Sequence, residues 1–118
     1  MKYEVTYNEE YNCLIGKYTG DLTIEFVKEY VQEIANLATL HNCKRFINDL
    51  REANIKISVA NFYNAPKIVS INMFDRTWKR AIIVRKKTDE LNFFETTSLN
   101  QGFQVKIFLD LKDALEWL

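Results

Sequence analysis

The sequence has few of the residues that interrupt or cross-link a chain: its 118 residues include three glycines, one proline and two cysteines. So few glycines and prolines leave little room for a flexible linker, and we expect a single domain over residues 1–118. Cys13 and Cys43 lie far apart and outside any CxxC pair, which implies neither a disulfide framework nor a zinc site. The pattern favours reduced, packed thiols in a cytoplasmic protein.

Net charge and long apolar runs are also missing. Sixteen basic residues balance sixteen acidic ones, whereas a nucleic-acid binder normally carries a cationic excess that displaces counterions. No apolar run approaches the ~20 residues that cross a bilayer. The chain start lacks the apolar core of a signal peptide. The sequence therefore predicts neither nucleic-acid binding nor a membrane span.

Motifs of catalysis and cofactor binding are absent as well. His41 is the single histidine, and with one neighbouring cysteine it makes neither a metal site nor a Cys–His dyad. No G-x-S-x-G, P-loop or dinucleotide fingerprint occurs. We therefore expect a binding or switching protein rather than an enzyme, with no catalytic residues, no metal and no cofactor.

The apolar pattern predicts nine elements in the order ββαβαβαβα. The strands are expected over 2–7, 13–18, 44–50, 81–84 and 105–109, and the helices after the capping residues Thr23, Ser58, Thr88 and Asp110. Gly20 is expected to break the second strand. The continuously apolar stretch at 81–84 indicates a strand buried on both faces at the centre of the sheet. Strands separated by helices predict a mixed five-stranded α/β sheet, mostly parallel, with an antiparallel hairpin at its start and about four helices.

This order, the predicted strand that ends in Asp49-Leu50, and the closing pattern Phe108-x-Asp110-x-x-x-Ala114-Leu115-x-Trp117-Leu118 resemble the SpoIIAA-like proteins. These share the STAS fold (sulfate transporter and anti-sigma factor antagonist) and have been likened to lipid-binding CRAL-TRIO domains. The resemblance covers almost the whole chain and implies a non-catalytic protein-interaction module.

The same resemblance draws attention to Ser58. In the phosphorylated anti-sigma antagonists a serine follows the Asp-Leu pair in an Asp-Ser-Ser-Gly-like motif, and counting on from Asp49 arrives at Ser58. The match is partial, because Ile57 replaces the aspartate and residues 59–60 replace the second serine and the glycine. Ser58 is interpreted as a helix cap, with a phosphorylated switch at the same helix start as the alternative.

Two charged regions give further candidates. Asp49, Arg51 and Glu52 are expected just past a central strand, where open parallel sheets place their ligand sites. They form either a polar regulatory or partner site or an exposed ion pair. The runs 78–80 and 85–87 each carry two or three basic residues at a strand end, and we expect these ends to be solvated rather than to bind phosphate.

The segment 57–74 contains one charged residue and more apolar residues than one helical stripe can bury. The surplus predicts either an interface or the mouth of a pocket, with plain core as the alternative. The candidate residues for that interface or pocket are Phe62, Tyr63, Ile71 and Phe74. Two hypotheses follow: a STAS-type module that docks on an unknown protein partner and forms a homodimer, or a carrier of an apolar, lipid-like small molecule.

Overall fold

The described residues form one mixed sheet in the strand order β1-β2-β3-β4-β5. The computed structural model describes residues 2–56 and 76–118. Its strands are β1 (Tyr3–Asn8), β2 (Cys13–Leu22), β3 (Arg45–Ile55), β4 (Lys79–Ile83) and β5 (Gln104–Phe108), and its helices α1 (Ile24–His41), α2 (Asp89–Asn100) and α3 (Leu111–Trp117). β1 runs antiparallel to β2, and the other neighbouring pairs are parallel. The predicted fold class is confirmed. The helix expected after Ser58 lies outside the described residues.

The helices lie on two different faces of this sheet. Right-handed crossovers that advance in one direction place their helices on the same side, and α1 and α2 accordingly pack on one face, here called the α1–α2 face. Its core residues include Leu14, Tyr18, Phe46, Ile82 and Ile107. α3 follows the last strand and packs on the opposite α3 face, where Cys13, Ile47, Ala81, Ile83 and Ala114 are fully buried.

α1 follows the predicted amphipathic pattern. Thr23 precedes it as the N-cap residue, but contrary to the prediction its side chain makes no capping hydrogen bond. The apolar stripe of α1 faces the sheet, with Tyr30, Val31, Ile34 and Ala38 buried. Thr88 and Asp110 cap α2 and α3 as expected, because each side chain accepts a hydrogen bond from a backbone N–H in the first turn. Leu111, the first residue of α3, is exposed.

Three predictions about the strands need correction. β2 does not end at Gly20: this glycine adopts φ +94°, which glycine tolerates, and β2 stays paired with β3 as far as Leu22. β3 was expected to end at Leu50 but extends to Ile55. The apolar stretch at 81–84 is buried as predicted, but β3 occupies the middle of the sheet.

Both cysteines are buried and unpaired, as predicted. Burial raises the pKa of the Cys13 thiol to about 11, so this thiol stays protonated at neutral pH. Among the helices of residues 2–56 and 76–118, none has the length and apolar character of a membrane span.

Candidate functional site

Four charged side chains from β2 and β3 meet on the α3 face: Lys17, Asp49, Arg51 and Glu52, here called the charged cluster. Lys17 lies opposite Asp49 in the parallel pairing, and two residues further along β2 the partner is Glu52. β3 therefore contains one residue more than β2 over this stretch, which is the definition of a β-bulge. The bulge brings Asp49, Arg51 and Glu52 to the same side, because strict alternation would have turned Glu52 to the opposite face.

Asp49 and Arg51 form the centre of the charged cluster. The Arg51 backbone N–H and Nε both donate to Asp49 Oδ1, at 3.1 and 3.0 Å, and the Arg51 NH2 group donates to Oδ2 at 2.8 Å. The Asp49 side chain is 10% exposed and that of Arg51 39% exposed. Burial alone would raise the pKa of Asp49, but the hydrogen bonds from Arg51 outweigh it and hold this pKa below its ordinary value.

The outer part of the cluster is open to solvent. Lys17 Nζ lies 3.0 Å from Glu52 Oε2, and both side chains are more than half exposed. Asp110, the N-cap residue of α3, lies close enough to act on Arg51: the pKa of Arg51 is raised first by its hydrogen bond to Asp49 and further by the charges of Asp110 and Glu52. The cluster thus combines one partly buried ion pair with charges that a binding partner can reach.

A shallow hollow of about 460 Å³ adjoins the charged cluster at the start of the hairpin. It is lined by Lys2, Tyr3, Glu4, Lys17 and Thr19. Lys17 belongs to both features, so the hollow and the cluster form one continuous polar surface on β1–β3. α3 packs against β4 and β5 and leaves this surface uncovered.

The opposite face carries a buried polar contact beneath the charged cluster. The Tyr30 hydroxyl donates to Asn48 Oδ1 at 2.7 Å, and the Tyr30 ring packs on the rings of Tyr3, Tyr18 and Phe46. Gly16 makes room for it, because a Cβ there would overlap the Tyr30 hydroxyl. Asn48 and Asp49 are neighbours in β3, so this contact fixes the backbone that carries the cluster. The sequence signal for this hydrogen bond was weak: a tyrosine, Tyr30, among the apolar residues of α1 and an asparagine, Asn48, within a predicted strand.

The structure places three of the candidate residues, Asp49, Arg51 and Glu52, in one cluster, and the other candidates lie outside the described residues. Asp49 and Arg51 form an ion pair, but they lie within β3 rather than past its end as predicted, because pairing with β2 continues beyond the bulge. The sequence analysis did not predict Lys17 and Asp110 as neighbours of this pair. Lys17 is brought there by the strand register, and Asp110 by the position where α3 begins. The remaining predicted residues, Ser58, Phe62, Tyr63, Ile71 and Phe74, lie outside the described residues.

Of the two basic runs predicted to be solvated, only the second is exposed. Residues 85–87 are exposed as expected. Trp78 and Arg80, by contrast, are buried, and burial lowers the pKa of Arg80 to about 10, which still leaves its guanidinium charged at neutral pH. The Arg80 guanidinium lies 5.8 Å from the centre of the Phe103 ring, and Lys79 Nζ donates to the Trp117 carbonyl at 2.7 Å. This run is part of the packing between β4 and its neighbours.

In the described parts of the chain, no three acidic, histidine or cysteine side chains are grouped as a metal site.

Known structures share this architecture. A SpoIIAA-like protein of the DUF3478 family from Shewanella loihica PV-4 is 18% identical with a TM-score of 0.59, covering 98% of this chain and 91% of its own. An anti-sigma factor antagonist from Mycobacterium paratuberculosis is 12% identical with a TM-score of 0.62, covering 98% and 92%. Neither protein-family models nor curated proteins give a significant match. The chain therefore has a SpoIIAA-like fold, as the sequence predicted.

Proposed function

We propose that this protein is a non-catalytic, STAS-type regulatory module that binds a protein partner through the charged cluster of β2 and β3. The observation that carries the proposal is the likeness, over nearly the whole chain, to the fold of an anti-sigma factor antagonist. A module that binds a partner needs an accessible surface rather than a reactive group.

The chemistry of the cluster supports binding rather than catalysis. A general acid or base works best with a pKa near the working pH. Arg51 occupies both oxygens of Asp49 and lowers its pKa, which moves this carboxyl away from that range. The arrangement therefore holds Arg51 in one orientation and leaves its exposed part available to a partner.

The exposed charges suit the rim of a protein interface. Lys17 and Glu52 are exposed and of opposite sign, and such rim charges guide association and set the orientation of two proteins. Arginine is enriched at the residues that contribute most to interface stability. Arg51, fixed by Asp49 and flanked by Lys17 and Glu52, is accordingly the centre of the proposed contact.

The regulatory part of the proposal concerns Ser58, seven positions after Arg51 in the chain. A phosphate there would add a charge of roughly −1.5 to −2 and would change how a charged partner docks. Intact-mass analysis of the protein from its native cells tests this directly. Unmodified mass under all growth conditions, with equal partner binding by Ser58→Ala and Ser58→Asp, would reduce Ser58 to a capping residue.

The partner interface is tested by affinity purification with quantitative mass spectrometry from native cells. The three baits are wild type, Arg51→Glu and Lys28→Glu. Lys28 is an exposed residue of α1 on the other face, so Lys28→Glu makes the same charge change away from the proposed site. We expect one protein enriched with wild type and Lys28→Glu and lost with Arg51→Glu.

Circular dichroism melting must show that Arg51→Glu is folded at the temperature of the purification. Retention of the same partner by folded Arg51→Glu would show that binding uses another surface. A protein whose binding survives in all three baits contradicts the proposed site. Absence of any specific partner contradicts the proposed function.

The hypothesis of an apolar ligand rests on residues 57–74, outside the described residues. It stays a prediction of the sequence, and native mass spectrometry of the purified protein would detect a bound lipid.

A further inference from the structure

The two edges of the sheet differ in how their outward backbone groups are used. At the β5 edge, the Ile107 N–H donates to the Glu95 carboxylate of α2 at 2.6 Å, so a side chain already engages this edge. At the β1 edge, no hydrogen bond links the backbone of Tyr3, Val5 or Tyr7 to a segment beyond β2 among the described residues. An edge strand with free N–H and C=O groups is a template for another strand.

The register of the hairpin shows which groups of β1 point outward. The Thr19 N–H donates to the Lys2 carbonyl at 2.7 Å, and Lys2 lies opposite Thr19 when the pairing of β1 with β2 is continued by one residue. Hydrogen-bonded pairs alternate along antiparallel strands. Glu4 and Thr6 therefore direct their backbone groups toward β2, whereas those of Tyr3, Val5 and Tyr7 face outward.

From this we infer that β1 pairs antiparallel with β1 of a second copy, which joins two sheets into one across a two-fold axis at Val5. The inference rests on backbone geometry at β1 and is independent of the partner surface around Arg51. In this register Tyr3 faces Tyr7 of the second copy, so that the outward backbone N–H and C=O groups of one β1 lie opposite those of the other. Glu4 faces Thr6 of the second copy, and no two like charges lie directly opposite each other.

α1 fits the same arrangement. It packs on both β1 and β2, so it lies over the gap between them, about one strand spacing from the new joint. Two α1 helices would then lie about 10 Å apart, which is the distance of packed neighbouring helices.

The flank of α1 above the β1 edge carries exposed apolar surface. Phe26 receives the Lys2 ammonium on its ring at 4.2 Å, and His41 stacks on Tyr7 at 4.1 Å, which identifies the side that overhangs β1. Leu37 and Leu40 follow at helical spacing on that side, and Leu40 is 74% exposed. A second α1 would bury this leucine.

Charge does not drive the pairing of two copies. The chain has no net charge, so two copies do not repel at long range. Glu29 and Glu33 lie near enough to Tyr3 to contribute, after burial, to the raised pKa of its hydroxyl, and the two-fold axis brings both sets of carboxylates together. Salt screens that repulsion, so this dimer should tighten as salt is added.

Sedimentation equilibrium at micromolar concentration tests the pairing with substitutions of opposite charge at one exposed position. Thr6→Glu places like charges opposite each other at two symmetric sites and should weaken the dimer about tenfold, whereas Thr6→Lys should tighten it. The double substitution Glu4→Lys with Thr6→Glu restores opposite charges and should restore the dimer. Val5→Pro removes an outward N–H and should abolish it.

The melting temperature of each variant reports whether the monomer is intact. The Thr6 and Glu4 variants keep the inward backbone bonds of β1, so a folding defect in Val5→Pro alone does not affect the test. Phe74→Glu is the matched variant for the interface predicted in segment 57–74. A monomeric wild type, or a dimer sensitive to Phe74→Glu and indifferent to the Thr6 charge, overturns the β1 joint while leaving partner binding at Arg51 intact.

Discussion

The two faces of the sheet are built from the same strands but differ in composition: one is an apolar core, and the other is partly charged. The α1–α2 face is an apolar core on which α1 and α2 pack, and the hydrogen bond from Tyr30 to Asn48 lies inside it. The α3 face is apolar only beneath α3 and becomes charged where β2 and β3 extend beyond it. One face provides stability, and the open part of the other provides a surface for recognition.

This difference arises from alternation along β3. Phe46, Asn48 and Leu50 point to the α1–α2 face, whereas Ile47 and Asp49 point to the α3 face. The buried contact of Asn48 therefore supports the strand from one side while Asp49 holds Arg51 on the other. Substitutions on the two faces should separate stability from binding.

The largest effect is expected at the covered part of the α3 face. Ala81 has no exposed surface, so Ala81→Asp buries a carboxylate without a partner and should lower the free energy of unfolding by several kcal/mol. Thermal melting by circular dichroism measures this, with Lys86→Asp in an exposed loop as the control. Wild-type melting of Ala81→Asp would show that β4 is not part of the core.

On the α1–α2 face, Gly16→Ala should cost about 1–3 kcal/mol, because the added methyl group displaces the Tyr30 hydroxyl. Removing that hydroxyl in Tyr30→Phe should cost about 1 kcal/mol by itself, since Asn48 loses its donor. A denaturant-unfolding cycle should show that Tyr30→Phe costs less in the Gly16→Ala background. Additive effects would mean that the two sites do not touch.

Within the charged cluster, Asp49→Asn should lower stability at pH 7 by about 1–3 kcal/mol, because the hydrogen bonds from Arg51 lose their charged acceptor. The folded pKa of Asp49 is lowered, so its contribution is present above the unfolded pKa of about 3.9 and is lost as the pH falls through the folded value. Urea unfolding at several pH values should show a weaker decline on acidification for Asp49→Asn. An identical acid profile would mean that Asp49 does not contribute.

The smallest effect is expected at the exposed rim. Lys17 and Glu52 are more than half exposed, so their coupling free energy in a double-mutant cycle should be below about 1 kcal/mol and should decrease with salt. If the cluster binds a partner, the same substitutions should slow association without changing the melting temperature. A coupling of several kcal/mol would place this pair in the structural core instead.

The elements that could be predicted were those whose signal is local. The alternation of β1, the apolar stripe of α1, and the caps Thr88 and Asp110 each depend on residues within a few positions of one another, and the structure confirms them. Strand ends were harder, because Gly20 interrupts a pattern without interrupting backbone pairing. Trp78 and Arg80 next to Lys79 suggested a solvated end, and only their packing among neighbouring strands shows that they are buried.

The sequence alone determined the order of the elements, the parallel sheet with its hairpin, and the buried strand at 81–84, because periodicity and chain connectivity suffice for these. Tertiary structure decided the site. A bulge in β3 placed Glu52 beside Lys17, and the strand register placed Asn48 under Tyr30. Which charges meet depends on register between distant segments, and no local pattern of residues encodes it.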